Sequence, residues 1–353
     1  MNLTEQTVCR DRAVDLVKAA AIVGVLTIHV SAAGFGAPIG SFDWLSSLFW
    51  GSVSRAAVPL FFMCSGALML DPRRQLTFRK LWTRSIPRLL AALLFWAFCY
   101  QVFDLARTRT LSGASLVQAV KAVLLFRHAS HLYYLHIALL VYAFLPVTRV
   151  LTAHADRRQL WYFLALWFLL GILYPTVKSF WPFTLLRGIP VQWMMNMTYA
   201  AIGYGVLGHV LSRELYADGR PPNRLPWALL AAAGSAVIFC GTWAGSAVTG
   251  KLYTQFLEGM TVGPCLLAAG VYGLCAVPQL PKRLERPMDF LSRASFCVFL
   301  VHVFFLRKFQ EFGWTGRSPS LVTIPLLVLL LLLCGCVVYA VLDRIPWVRR
   351  WLI

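Results

Sequence analysis

Long apolar segments recur along the whole chain, and each is long enough to cross a lipid bilayer. A transmembrane helix needs about 20 mostly apolar residues, and a sliding window of ~19 residues finds about ten such segments here. Because hydrocarbon offers the backbone no hydrogen-bonding partner, each segment must be helical. The sequence therefore predicts an all-α polytopic membrane bundle of about ten transmembrane helices. The predicted spans lie near residues 13–33, 45–70, 86–105, 131–148, 160–175, 193–211, 226–246, 257–277, 288–306 and 320–342.

The composition agrees with a chain that lies mostly in lipid. Hydrophobic residues make up 59% of the 353 residues and charged residues only 13%, whereas soluble domains carry roughly 25% charged residues. No low-complexity linker divides the chain, so we expect a single membrane domain over residues 1–353. The formal net charge of +19 does not indicate a nucleic-acid partner, because the basic residues punctuate the apolar segments instead of gathering on one folded face.

Cysteine usage and the N-terminal segment fit the same class of protein. All of the nine cysteines except Cys9 lie in apolar runs, and their spacing predicts neither a disulfide framework nor a metal site. Residues 13–33 have the length of a signal peptide. However, they carry Asp15, Lys18 and His29 and are followed by further spans, so we expect a retained first helix.

The distribution of lysine and arginine predicts the orientation of the bundle. With both termini in the cytoplasm, roughly twice as many basic residues fall on the cytoplasmic side as on the outer side, which the positive-inside rule favours. We therefore expect a multi-pass protein of the bacterial inner membrane with both termini cytoplasmic. The short amphipathic stretch 114–126 is interpreted as an interfacial helix.

The first span carries ionisable residues, which are costly in a membrane and mark candidate functional sites. Lys18 and His29 are three helical turns plus roughly 20° apart, so they share one face roughly 16 Å apart, and Asp15 lies close to the same line. Histidine is a candidate general base because its unperturbed pKa lies near neutrality. Two alternatives remain open: His29 can be a packing residue hydrogen-bonded to a neighbouring helix, and Lys18 can be an anchor that snorkels to the interface.

Arg55 and the basic residues after the second span form the next candidates. Arg55 lies near mid-membrane, where it is expected to hold a carboxylate or a developing oxyanion, or else to form a structural ion pair with Asp15 or Asp43. The basic cluster suits the phosphates of a nucleotide-like donor, although anionic lipid headgroups explain it nearly as well. The cluster consists of Arg73, Arg74, Arg79, Lys80, Arg84 and Arg88.

Other spans offer polar side chains to the same interior. The fourth span opens with aromatic and titratable groups, of which the tyrosines can equally be an interfacial aromatic belt. In the ninth span Ser295 and His302 are two turns apart, and a lone histidine there is more often a buried hydrogen-bonding residue than a reacting one. The candidates for acceptor binding or support of the site are His131, Tyr133, Tyr134, Asn196, Tyr199, Ser295 and His302.

Several segments together resemble the integral-membrane acyltransferase 3 family, and within it most closely the enterobacterial common antigen O-acetyltransferase subgroup. They extend from the first span to the ninth, and their order and spacing are more specific than any one of them. The segments are Asp15-Leu16-Val17-Lys18 through Thr27-Ile28-His29, residues 54–66 (SRAAVPLFFMCSG), His131-Leu132-Tyr133-Tyr134-Leu135 ending at Pro146, Gly203-Tyr204-Gly205-Val206-Leu207-Gly208, and Leu291-Ser292-Arg293-Ala294-Ser295 through His302.

The resemblance implies a cytoplasmic acyl-CoA donor, a sugar acceptor usually displayed toward the periplasm, and a reacting histidine at the place of His29. It also implies a role for the residue eleven positions earlier, which in the family is usually arginine and here is Lys18. Lysine keeps the charge but lacks the planar fork of arginine, so a contact that needs two parallel hydrogen bonds is in doubt.

Together these observations predict a membrane O-acyltransferase that moves an acetyl group from acetyl-CoA to a hydroxyl of a cell-surface or lipid-linked glycan. We expect His29, Arg55, Lys18 and Asp15 to be the catalytic group, with the basic cluster binding CoA. The alternatives are a transporter or flippase for an acylated or lipid-linked glycan, which the absence of paired discontinuous helices or of an inverted repeat disfavours, and a structural partner in a polysaccharide-export complex. The sequence leaves open whether the chain works as a homodimer.

Overall fold

The fold was analysed on a computed structural model that describes residues 12–72, 76–127, 129–178, 180–186, 197–215, 223–276 and 281–353. All the regular elements of these residues are helices. The α-helices are α1 (Arg12–Ser31), α2 (Phe42–Ser54), α3 (Ala57–Met69), α4 (Phe78–Lys80), α5 (Ile86–Arg107), α6 (Gly113–Leu124), α7 (Tyr133–His154), α8 (Arg157–Trp167), α9 (Tyr174–Val177), α10 (Met197–Glu214), α11 (Arg224–Thr249), α12 (Val262–Leu274), α13 (Lys282–Glu311), α14 (Ser320–Leu342) and α15 (Pro346–Trp351).

The predicted membrane bundle is confirmed. Within the described part of the chain, 9 helical segments are long and apolar enough to cross a membrane. They are Arg12–Gly36, Phe42–Met69, Phe78–Arg107, Ser130–His154, Arg157–Val177, Arg224–Thr249, Gln255–Leu274, Lys282–Glu311 and Ser320–Leu342. These match the predicted spans except the one at 193–211. Its described part is α10, which is helical but contains polar residues near its end that lower its mean hydropathy.

The second predicted span, 45–70, corresponds to Phe42–Met69 and is interrupted between α2 and α3. Pro59 lacks the N–H that would bond to the carbonyl of Arg55 in a continuous helix, and its ring would clash with that carbonyl. The helix therefore ends at Ser54, and Arg55 follows as the capping residue with its N–H on the carbonyl of Ser52.

Two π-helical turns add local irregularity to otherwise regular spans. One, Leu81–Ser85, joins α4 to α5, and the other, Phe168–Leu173, joins α8 to α9. A π turn adds a residue to the helical repeat and is frequent at functional sites. The first of them lies within the predicted basic cluster. The predicted interfacial stretch 114–126 forms the short amphipathic helix α6, which begins with a capping box between Ser112 and Ser115.

The centre of the bundle is built around α1, which packs against α2, α3, α13 and α14. Ile22 and Leu26 of α1 are fully buried. Small residues allow the helices to approach closely, as is usual in membranes. A side chain at Gly66 of α3 would place its Cβ 1.8 Å from the carbonyl oxygen of Gly205 in α10, so the two backbones are in direct contact. The close packing of α1, α3, α10 and α13 positions the polar side chains described next.

Candidate active site

The polar face predicted for α1 is directed toward α13. Asp15 is buried, and its carboxylate accepts a hydrogen bond from the hydroxyl of Ser292 at 2.6 Å. At the other end of the helix, the ring of His29 lies 4.9 Å from that of His302, measured between centroids. These contacts occur in the same order along both helices, so α1 and α13 run parallel. Between them, Lys18 and Ser295 line the same cavity.

The imidazoles of His29, His131 and His302 converge at one point inside the bundle. The His131 ring centroid lies 5.4 Å from that of His302 and 6.3 Å from that of His29. His131 belongs to the short turn Ser130–Leu132 that precedes α7, and both it and His302 are buried, whereas His29 is half-buried. The sequence offered each histidine separately, but it did not predict that they meet. Within the described residues, no group of His, Cys, Asp or Glu side chains has the arrangement of a metal site.

Tyr100 of α5 supports this histidine cluster (His29, His131 and His302), and sequence reasoning missed it. Its ring packs edge-on against His131 at 4.8 Å between centroids, and its hydroxyl donates to the carbonyl of Leu300 at 2.7 Å. The sequence carries little signal for this role, since Tyr100 lies in an apolar span among other aromatics. Its position fixes one side of His131.

Arg55 lies at the break between α2 and α3, next to the histidine cluster. Its positive charge acts electrostatically on His29 and on Tyr133. The Nε atom is buried and has no hydrogen-bond partner, and no ion pair among the described residues includes this guanidinium. A guanidinium inside a membrane protein without an anion beside it is costly.

The suggested structural ion pair of Arg55 with Asp15 or Asp43 is wrong. Asp15 accepts from Ser292, and Asp43 accepts from the backbone N–H of Ser320 at 2.7 Å. The two carboxylates are thus hydrogen-bonded to α13 and α14, respectively, and not to Arg55. The guanidinium of Arg55 is therefore available to a ligand.

A cavity of about 560 Å³ opens beside the first half of α1 and carries positive charge. No carboxylate is among its described lining residues. The apolar part of the wall comes mainly from α3, α7 and α13. The cationic and hydroxyl-bearing lining residues are Lys18, Lys80, Arg84, Arg88, Ser65, Ser85, Tyr134, Tyr142 and Ser295.

Only part of the predicted basic cluster lines the cavity. Lys80 at the end of α4, Arg84 in the π turn and Arg88 at the start of α5 line the cavity. Arg79 is exposed and lies outside the cavity wall. Arg88 also donates to the backbone oxygen of Ile353, so Ile353 packs beside the cavity. Arg73 and Arg74 lie outside the described residues.

The remaining candidate residues for acceptor binding do not lie together. Tyr134 lines the cavity, whereas the side chain of Tyr133 is 46% exposed. That these tyrosines form an interfacial aromatic belt stays a prediction. Asn196 lies outside the described residues, and Tyr199 belongs to α10 but its side chain is not described.

A single layer of aromatic rings separates the cavity from the histidine cluster. Phe61, Tyr134 and Phe299 line the cavity, whereas His29, His131 and His302 do not. The ring of Phe299 lies 5.2 Å from that of Tyr134 and 6.0 Å from both His131 and His302, measured between centroids. One layer of side chains therefore separates the cavity from the histidine cluster. We call the rings of Phe61, Tyr134 and Phe299 the aromatic partition.

Comparison with known proteins identifies the family. The chain matches the acyltransferase 3 family, described as an acyltransferase domain, over residues 11–342. No match was found to curated proteins or to solved structures. The matched region includes the histidine cluster, Arg55 and the basic cavity. This chain therefore belongs to the acyltransferase 3 family of membrane acyltransferases.

Proposed function

We propose that this protein transfers an acetyl group from acetyl-CoA to a hydroxyl of a cell-surface or lipid-linked glycan. The observation that carries the proposal is the arrangement of a cationic cavity one aromatic ring away from an imidazole cluster, with Arg55 beside it. Membership of an acyltransferase family supports the reaction class. The donor, the acceptor and the role of each residue are part of the proposal.

The cavity suits the donor because all the charged side chains among its described lining residues are cations. Lys18, Lys80, Arg84 and Arg88 would pair with the phosphates of CoA, while the apolar walls would accept its pantetheine arm. A volume of about 560 Å³ falls in the range of ligand pockets. Anionic lipid headgroups would use the same charges, and free acetyl-CoA competes with them in the experiment below.

The reaction needs a base, a stabiliser of negative charge and a leaving group. His29 would take the proton of the acceptor hydroxyl while the oxygen attacks the thioester carbonyl. Arg55 would stabilise the oxyanion that develops on the carbonyl oxygen. As the carbon–sulfur bond breaks, the CoA thiolate would receive the proton held by the imidazolium of His29, which restores the neutral base. A transient acyl group on His29, followed by transfer to the sugar, uses the same residues.

The proposed setting is the bacterial inner membrane with both termini in the cytoplasm, so that the basic cavity opens toward cytoplasmic acetyl-CoA. The basic residues along the sequence favour this orientation. The histidine cluster would then lie toward the opposite face, where the family's acceptor sugars are displayed. The donor would enter from one side of the membrane and the acceptor from the other.

Purified protein in lipid nanodiscs, incubated with radiolabelled acetyl-CoA and extracted lipid-linked glycans, tests the proposal. We expect the label to move to the glycan fraction, with release of free CoA. A transporter or a structural partner of an export complex consumes no thioester, so an unchanged acetyl-CoA pool would overturn the proposal. The family match does not favour either of those alternatives.

A further inference from the structure

The hydrogen bond of His302 fixes which of its ring nitrogens carries the proton. Its Nδ1 atom lies 2.7 Å from the carbonyl oxygen of Phe299. A carbonyl can only accept, so Nδ1 must be the donor in this contact. In the neutral ring the other nitrogen, Nε2, is then an acceptor with a free lone pair.

This acceptor is sealed inside the protein without a partner. His302 is 0% exposed, and its Nε2 atom is buried with no hydrogen bond. A buried polar atom in this state costs stability and calls for a functional explanation. Because the atom is closed off, a substrate hydroxyl entering the site would meet half-buried His29 before it could reach His302.

Of the two imidazoles beside this acceptor, His29 is the nearer, whereas the His131 ring lies 5.4 Å away between centroids. Two imidazoles joined by a hydrogen bond have ring centroids about 5 Å apart, from the usual donor–acceptor distance plus two ring radii. The centroids of His29 and His302 are 4.9 Å apart and their planes are tilted by 46°. This separation is the one that a hydrogen bond between the two rings requires.

We infer that His302 is a positioning residue that accepts a hydrogen bond from one ring nitrogen of His29 during catalysis. The inference rests on the proposed function. The contact holds His29 in the tautomer whose other nitrogen carries the lone pair, directed at the acceptor hydroxyl. When His29 takes the hydroxyl proton, the same contact stabilises the imidazolium. Phe299 thus orients His302, and His302 orients the base, as a third group does for other base-activated nucleophiles.

Two substitutions separate this role from a packing role. In His302→Asn the amide can still donate to the Phe299 carbonyl but offers nothing at the place of Nε2. In His302→Gln the longer amide places an oxygen near that position. We expect His302→Asn to lower kcat roughly tenfold to hundredfold with the KM for acetyl-CoA unchanged, and His302→Gln to restore part of that loss. Equal kcat values for wild type and His302→Asn would overturn the inference, as would equal losses in both well-folded variants.

The exposed His154 at the end of α7 provides the control, because its Asn and Gln variants should behave as wild type. Absence of acetyl transfer by the wild-type protein would contradict the proposed function instead, so the two failures are distinguishable. A measurement on wild-type protein keeps the test valid if the variants misfold. In solid-state NMR with ¹⁵N-labelled histidine, the ring adjacent to Phe299 should be protonated at Nδ1 and carry an acceptor at Nε2. A proton on Nε2 of that ring would contradict the inference.

Discussion

Arg55 lies at a break in the helix, and among the described residues no carboxylate forms an ion pair with it. Pro59 interrupts the helix at this residue, which turns Arg55 toward the interior, where its buried Nε atom has no hydrogen-bond partner. A structural arginine would be expected to have such a partner. The arrangement is instead that of a preorganised cation for charge that forms only during the reaction.

Replacing Arg55 by methionine should therefore affect rate and stability in opposite ways. We expect kcat to fall by roughly two to three orders of magnitude, because the oxyanion loses its stabilising charge. The melting temperature should stay the same or rise, since an uncompensated buried charge is removed. Acetyl-transfer kinetics and thermal unfolding of the purified variant measure both quantities. A clear loss of stability with unchanged kcat would show that Arg55 is structural.

Lys18 tests the donor end of the site. Substituting glutamine removes one positive charge from the cavity wall, so we expect the KM for acetyl-CoA to rise several-fold with a smaller change in kcat. Lys18→Arg keeps the charge and supplies a bidentate fork, so its KM should be equal to or below that of wild type. Lys121→Gln on exposed α6 is the matched control. An equal KM for Lys18→Gln and Lys121→Gln would remove Lys18 from the donor site.

At the scale of the elements, α3 and α10 depend on backbone contact. Gly66→Ala would force the new Cβ into the carbonyl of Gly205, so α10 must shift away from α3. Overpacking of this kind costs about 1–3 kcal/mol. We expect a lower unfolding temperature for Gly66→Ala, measured in detergent, than for Gly36→Ala, where a Cβ meets nothing within 4 Å. Equal unfolding temperatures would contradict the described packing.

The aromatic partition separates the two compartments at a single layer of rings, and Phe299 belongs to both sides. If the thioester passes this layer to reach His29, Phe299→Ala should widen the passage and admit water together with the donor. We expect hydrolysis of acetyl-CoA without an acceptor to increase several-fold, measured as release of free CoA. Phe290→Ala, on the same helix but packed against Tyr339, should leave hydrolysis at the wild-type level. No increase in Phe299→Ala would show that these rings are not the barrier.

At the scale of the whole molecule, the features that follow from local pattern were predictable. The lengths of the apolar segments predicted the spans, because backbone N–H and C=O groups in lipid must be hydrogen-bonded within the segment and a helix achieves this. Helical geometry placed Lys18 and His29 on one face of α1, and both do face α13. The break at Arg55 was also visible in principle, since Pro59 lies four residues after it.

The features that require several elements to meet were not predictable from one sequence. The convergence of His29, His131 and His302 depends on how α1, α7 and α13 rotate against one another, which periodicity does not determine. Tyr100 was missed for the same reason. Which basic residues line the cavity depends on how the segment from Lys80 to Arg88 is rotated toward α1 and α13, and Arg79 lies outside that face.

Acetyl transfer in sealed proteoliposomes, with donor and acceptor supplied on opposite sides, tests the central claim most directly. Radiolabelled acetyl-CoA is added to the face that carries Lys80, Arg84 and Arg88, and lipid-linked glycan is present in the membrane. We expect wild type and the control His154→Ala to label the glycan, and His29→Ala to be folded but to leave it unlabelled. Equal labelling by His29→Ala and wild type would contradict the account.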